Sequence, residues 1–336
     1  MSLSAPRPRP AHLGLAFILP VALAAAFLWW QPSRSSDEFT AAEKRSLATL
    51  RVIDAKLPLL AMTNYGPYDA TRPVAKAHVG RSFACSLFVA TKGPRGPLFG
   101  RNFDWAPNAA MLVTNRPPRG PTSISLVDLS YAAVTPQEAT RARNDPAVQR
   151  KLLQAVKIPF DGLNEHGLAI GFAQVPAAQP PRVPNRPTAG SARVQRLVLD
   201  QARTVDQAIA IFGRYNVEFP PDEPALHYLL ADATGQAAAI EFVNGRMHVI
   251  RDTPHAITNF VLTGTTDRKD LRYRTITSKL RATKNSLNPT EAMDLLSEVA
   301  QRHTRWSAVY ELTQGTLHLT LDRDYSKHHT FHLKPN

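Results

Sequence analysis

The chain has 336 residues, 43% of them hydrophobic, which is enough to bury one large core or two modest ones without disulfides or structural metals. Its formal charge of +13 comes from Lys and Arg residues scattered along the chain, with no basic tract, zinc-ligand pattern or aromatic-interleaved basic motif. Nucleic-acid binding is set aside on that ground, and a basic surface facing acidic lipid or cell-wall polymer is the better use of the charge.

At the N-terminus Arg7 and Arg9 precede an apolar run over residues 13–30, broken only by Gly14 and Pro20, and a polar stretch follows over 31–37. This is an export signal. Its 18 residues lie between the length of a signal peptide and that of a spanning helix. Trp29 and Trp30 suit a membrane interface and favour an uncleaved anchor, whereas Ala24 to Ala26 would serve a signal peptidase. Arginines on the short N-terminal side place the rest of the chain outside the cytoplasm, in the periplasm or at the cell surface.

Residues 37 to about 60 read as helix: Thr40 and Glu43 make a capping box, Leu47, Leu50, Ile53 and Leu57 follow at mostly helical spacing, and Pro58 ends it. Residues 62–81 read as a connecting segment. From position 85 the pattern changes to strands, with 85–91 and 97–103 joined at Gly93-Pro94-Arg95-Gly96 as a hairpin. Further strands are predicted at 123–131 and 168–175, then a Pro-rich surface loop at 176–187 and a helix at 194–215. Strands return at 226–231, 237–242 and 247–251, with Thr234-Gly235 and Asn244-Gly245 as turns. Helices at 270–279 and 290–302, the second entered through Asn288-Pro289, precede strands at 308–311 and 317–321. Runs of strands and runs of helices without a repeated strand-helix-strand unit predict a layered α+β fold.

Three clusters carry possible chemistry. The chain has a single cysteine, Cys85, which cannot form an internal disulfide and so has either a packing or a chemical role. One hairpin strand later stands Gly-Arg101-Asn-Phe-Asp104-Trp, which brings a cation and a carboxylate near the thiol; on a hairpin such a pair is otherwise an ordinary surface ion pair. The second cluster is Asp-Gly-Leu-Asn164-Glu-His-Gly-Leu, in which Asn164 is either an amide donor to an oxyanion or a turn residue at positive φ. The third is Thr258-Asn259, followed by Arg268, Arg272 and Arg274.

Taken together and in this order, these pieces resemble the choloylglycine hydrolase and linear amide C–N hydrolase family. The resemblance runs from Cys85 to the C-terminus and includes LHYLLADATGQAAAIEF and the late WSAVY. It implies a four-layer αββα N-terminal nucleophile hydrolase sandwich of antiparallel sheets. It further implies division into a signal or anchor at 1–36, a propeptide-like leader at 37–84 and a catalytic domain at 85–336. By the same resemblance Cys85 is the nucleophile, freed by self-cleavage after Ala84. Arg101 and Asp104 are its partners, Asn164 and Asn259 contact the oxyanion or substrate amide, and Arg272 is the distal arginine, although spacing does not choose it over Arg268 or Arg274.

The chemistry needs no cofactor and no metal. The amine of an N-terminal cysteine has a reference pKa of about 7.7 to 8 and can take its own thiol's proton, so nucleophile and base are one residue. The expected substrate is a small N-acyl amide, with hydrolysis and acyl transfer both open to the same thioester, and homo-oligomers are common among such relatives. The competing readings are a papain-like pairing of Cys85 with His166 or His255, a metal site at His328, His329 and His332 against a solvated tail, and a non-catalytic envelope protein that keeps the fold.

Overall fold

A computed structural model describes residues 38–55, 58–74, 84–219, 223–252, 255–266 and 268–334. Helix α1, Ala41–Leu47, opens with the expected capping box: Glu43 N–H donates to Thr40 Oγ1 at 3.2 Å, and Thr40 N–H donates to the Glu43 carboxylate at 2.8 Å. It ends at Leu47, well short of residue 60. Thr49 then accepts the Thr63 N–H at 2.8 Å, and strands β1 (Arg51–Asp54) and β2 (Leu59–Asn64) follow in place of the predicted helix. The apolar run of β2 is buried almost throughout, as in a strand covered on both faces; the helical spacing of Leu47, Leu50 and Ile53 is spread instead over the end of α1, the turn after it and β1.

The hairpin at Cys85 forms as expected, from β3 (Ala84–Ala90) and β4 (Leu98–Asp104). Next come β5 (Ala110–Asn115) and β6 (Ser123–Asp128), then α2 (Pro136–Arg141) and α3 (Pro146–Gln154). Residues 161–164 form the short strand β7 (Asp161–Asn164), and β8 (Ala169–Gln174) follows. After the Pro-rich loop, β9 (Thr188–Gly190) leads to two helices, α4 (Arg193–Gln201) and α5 (Val205–Arg214), where one was predicted. Thr204 splits them by accepting the Gln207 N–H as the cap of α5.

The rest is β10 (Asn216–Glu218), β11 (Leu226–Ala231), β12 (Ala237–Val243), β13 (Arg246–Ile250), β14 (Ala256–Ile257), α6 (Leu271–Ala282), α7 (Pro289–Glu298), β15 (Thr304–Glu311), β16 (Thr316–Leu321) and β17 (His329–His332). Asn244 (φ 51°) and Gly245 (φ 70°) both adopt the left-handed conformation that a two-residue hairpin turn between β12 and β13 requires. Of the terminal histidines, His329 and His332 lie in the edge strand β17, paired with β16, and His328 stands just before it. Among the described residues no cluster of His, Cys, Asp and Glu is arranged to hold a metal ion.

Two sheets dominate. A nine-stranded sheet runs β1-β2-β5-β6-β7-β8-β11-β12-β13, antiparallel except where β2 lies parallel to β5. A six-stranded antiparallel sheet runs β14-β3-β4-β15-β16-β17, and β9 and β10 form a small parallel pair. The sheets meet where β3 packs on β8 and β11; α4 and α5 cover the larger sheet, and α6 and α7 the smaller. This is the expected αββα order. Thr40 to the C-terminus forms one unit, so β1 and β2, which lie before Cys85, sit within the same sheet as strands that follow it. Among the described residues no helix is long and apolar enough to cross a membrane; the expected N-terminal anchor lies outside them.

Candidate active site

The β3–β4 register sets the site. Cys85 lies opposite Phe103 and Leu87 opposite Arg101, so these four share one face of the sheet, the one toward β8. Arg101 is thus the diagonal neighbour of Cys85, and its Nη2 lies 3.7 Å from Sγ. Ala84 lies opposite Asp104 at the end of the pair, with both on the other face. Cys85 therefore has an arginine on the sheet-to-sheet side and a carboxylate on the helix side.

Arg101 is wholly buried, and two carbonyls and a carboxylate hold it in place. Nη1 donates to the Phe160 and Phe172 carbonyls at 2.8 and 3.1 Å, and Nε faces Asp161 Oδ2 at 3.0 Å. Asp161, also wholly buried, accepts in addition from Trp306 Nε1 at 3.1 Å and from the Tyr310 hydroxyl. The Trp and Tyr of WSAVY alternate along β15 on one face, which is how that motif reaches Asp161. The sequence reading missed Asp161, although it opens the second motif; an acid at the head of a buried strand was the signal.

On the helix side α6 begins with Asp270 as its cap, and Arg272 projects from its first turn. Arg272 Nη1 donates to the Cys85 carbonyl at 2.9 Å and lies 3.6 Å from Asp104 Oδ2, while Nη2 donates to Asn259 Oδ1 at 2.9 Å and to Asp270 Oδ2 at 3.1 Å. Asn259 Oδ1 also accepts the backbone N–H of Cys85 at 2.8 Å, and Asn259 Nδ2 donates to the Gln174 carbonyl at 2.9 Å. Of the three candidate arginines, the one touching Cys85 is Arg272; Arg268 instead donates to the Tyr273 hydroxyl at 2.6 Å.

Asn164 does not join this group. Its two Nδ2 hydrogens go to the Leu199 and Ala202 carbonyls at 3.1 and 2.7 Å, and its Oδ1 accepts the His166 and Leu168 N–H groups, both at 3.1 Å. The side chain thus ties the end of α4 to the β7–β8 turn and leaves no amide hydrogen for an oxyanion. The turn's positive φ belongs to Gly167, at 79°. Among the described residues neither His166 nor His255 hydrogen-bonds Cys85, which removes the geometric basis for a papain-like pair.

Burial dominates the electrostatics. It pushes the Cys85 thiol up to about 11 in the continuous chain; Arg101, the Asp104 backbone N–H and Arg272 pull it down, and the Asp104 charge adds to the rise. Burial likewise raises the Asp104 carboxyl to about 6, against the Thr304 hydroxyl at 2.5 Å and the two arginines. The arrangement therefore supplies a neutral buried thiol, a carboxylate poised near neutral pH and two cations ready for a developing negative charge.

A family model described as acyl-coenzyme A:6-aminopenicillanic acid acyl-transferase matches residues 157–333, more than half of the chain. The match takes in Asp161, Asn259 and Arg272 and begins after Cys85, Arg101 and Asp104. No curated protein matches. Among solved structures, a mutant of the conjugated bile acid hydrolase from Clostridium perfringens is similar with a TM-score of 0.54 at 13% identity, over 74% of this chain and 92% of that one. A second variant of that enzyme gives 0.54 at 12% identity over the same shares. Penicillin V acylase from Agrobacterium tumefaciens gives 0.49 at 18% identity, over 72% of this chain and 89% of that one. The bile acid hydrolase likeness shows the shared N-terminal nucleophile hydrolase fold.

Proposed function

Because the chain belongs to the acyl-coenzyme A:6-aminopenicillanic acid acyl-transferase family, we propose that it cuts itself between Ala84 and Cys85 and then hydrolyses the linear amide of a small N-acyl substrate through a Cys85 thioester. The observation that carries this reading is the grip on Cys85: its nitrogen on Asn259, its carbonyl on Arg272 and its sulfur beside Arg101. A packing cysteine would need none of these.

In the continuous chain Asp104 takes the thiol proton, Sγ attacks the Ala84 carbonyl carbon, and the Ala84–Cys85 C–N bond breaks as the nitrogen gains a proton. Water then hydrolyses the Ala84 thioester, releasing a carboxylate and restoring the thiol. In the cut enzyme the Cys85 amine, held by Asn259, takes the thiol proton as Sγ attacks the substrate's acyl carbon. That proton passes to the leaving amine, and water clears the acyl group. Asn259 serves the oxyanion in this scheme, while Arg101 and Arg272 favour the negative charge that builds during attack. The family's own name favours a second reading, in which an amine instead of water takes the acyl group. The proposal includes export, with residues 1–36 as signal or anchor and a diffusible or membrane-derived N-acyl amide as substrate.

Intact mass and N-terminal sequencing of the purified chain, beside a Cys85→Ala variant, test this. The expected result is a fragment beginning at Cys85 in the wild type and an uncut variant; an uncut wild type overturns the mechanism. Product analysis of a decanoyl aminocoumarin amide, with and without added amine, then separates hydrolysis from transfer.

A further inference from the structure

Strands β11 and β12 lie inside the larger sheet and are mostly apolar, yet they carry a buried histidine and a buried glutamate, His227 and Glu241, that the scheme above does not use. His227 and Glu241 are each only 1% exposed. His227 Nδ1 lies 2.9 Å from Glu241 Oε1, and its Nε2 lies 2.7 Å from the Thr258 carbonyl oxygen. A carboxylate and a carbonyl both accept, so the ring is placed to donate from both nitrogens. Glu241 also accepts the Leu262 N–H at Oε1 and the Thr263 N–H at Oε2, each at 2.8 Å. Burial opposes its charge, but His227 and these two N–H groups hold the carboxyl down at about 2.

The three backbone groups gripped in this way, at 258, 262 and 263, bracket Asn259. That loop leaves β14, which pairs with β3 in the smaller sheet, whereas His227 and Glu241 belong to the larger one. A well-packed apolar pair would fill the same space at no greater cost, because a buried ionisable pair must first be desolvated. Its value lies in direction, since apolar contacts fix neither a carbonyl nor an amide.

We propose that His227 and Glu241 are positioning residues that clamp the 258–263 loop to the larger sheet, so that Asn259 Oδ1 meets the Cys85 nitrogen. The placement stands on geometry; its effect on rate rests on the thioester reading above.

A double-mutant cycle tests it. In a Cys85→Ala background, which cannot cut itself, amide hydrogen exchange at position 85 is followed with His227→Ala, with Asn259→Ala and with both. His227→Ala is expected to speed exchange about tenfold or more, and to add nothing once Asn259 is gone. Glu241→Gln, which keeps shape and volume, is run through the same cycle, so one poorly folding variant does not decide the matter. In the self-cut enzyme the same substitutions should lower kcat for the decanoyl aminocoumarin amide by roughly 10- to 100-fold, with KM changing little. Unchanged exchange at position 85, or equal acceleration with and without Asn259, overturns the proposal. A wild type that neither cuts itself nor turns over the amide, with the exchange coupling present, sinks the thioester reading and leaves the clamp standing.

Discussion

Burial sets Asp104 against the stability of the fold. Burial raises its carboxyl from the ordinary 3.8 to about 6 in the native chain, because desolvation outweighs Thr304, Arg272 and Arg101. A raised native pKa means that the linked stability is fully present below about 3.8 and is lost as pH rises through about 6. Asp104→Asn, compared in a Cys85→Ala background so that both chains stay uncut, should therefore stabilise the protein at pH 7.5 by up to about 3 kcal/mol. Below pH 4 the gain should vanish. Urea midpoints at the two pH values check this, and a gain independent of pH would show that burial does not control the group. With Cys85 present, the same substitution should stop self-cleavage. Arg272 makes a second test at this scale, because its planar fork meets Cys85, Asn259 and Asp270 at once. Arg272→Lys keeps the charge but not the fork and should cut turnover about 100-fold, whereas Arg268→Ala should stay within about threefold.

Elements bring these residues together through close approach, and Gly171 on β8 shows how tight that approach is. A Cβ there would lie 2.8 Å from Leu87 Cδ2 and 3.3 Å from Arg101 Nη1. Gly171→Ala should therefore push Arg101 off its two carbonyls, lower the melting temperature and slow self-cleavage. Gly213→Ala, inside α5 with nothing near the added methyl, should stabilise by roughly 0.5–1 kcal/mol. Melting curves and cleavage time courses on both variants make the contrast. The hairpin at Cys85, the Asn244-Gly245 turn and the capped starts of α1, α6 and α7 were legible in the sequence because each depends on a few adjacent residues. The end of α1 and strands β2, β5 and β17 were not, since sheet partners distant in sequence decide them; the break between α4 and α5, set by the Thr204 cap, was a local signal passed over. The same division holds at the site. The motifs named Cys85, Arg101, Asp104 and Asn259, while the choice of Arg272 over its neighbours, the structural use of Asn164 and the role of Asp161 depend on where β7, α4 and α6 meet.

At the scale of the whole molecule the leader is part of the architecture. β2 runs in register beside β5 from Leu59 opposite Ala110 to Asn64 opposite Asn115, and Asn64 Nδ2 donates to Asn115 Oδ1 at 2.9 Å. The Tyr68 hydroxyl donates to Asp200 at 2.7 Å and accepts from Asn115 Nδ2 at 2.6 Å. Leu59, Leu60 and Met62 are each 2% exposed or less, so the leader contributes core as well as sheet edge. A cut after Ala84 breaks the chain twenty residues beyond Asn64 and none of these contacts. The two pieces should therefore run as one species in native mass spectrometry and size exclusion, and separate only under denaturant. Residues 85–336 expressed alone would expose the apolar edge of β5, and edge exposure of that kind invites aggregation. That piece should be insoluble or inactive, and co-expression with the leader should rescue it. A soluble, active 85–336 chain would show that the leader is dispensable and that β5 closes the sheet unaided.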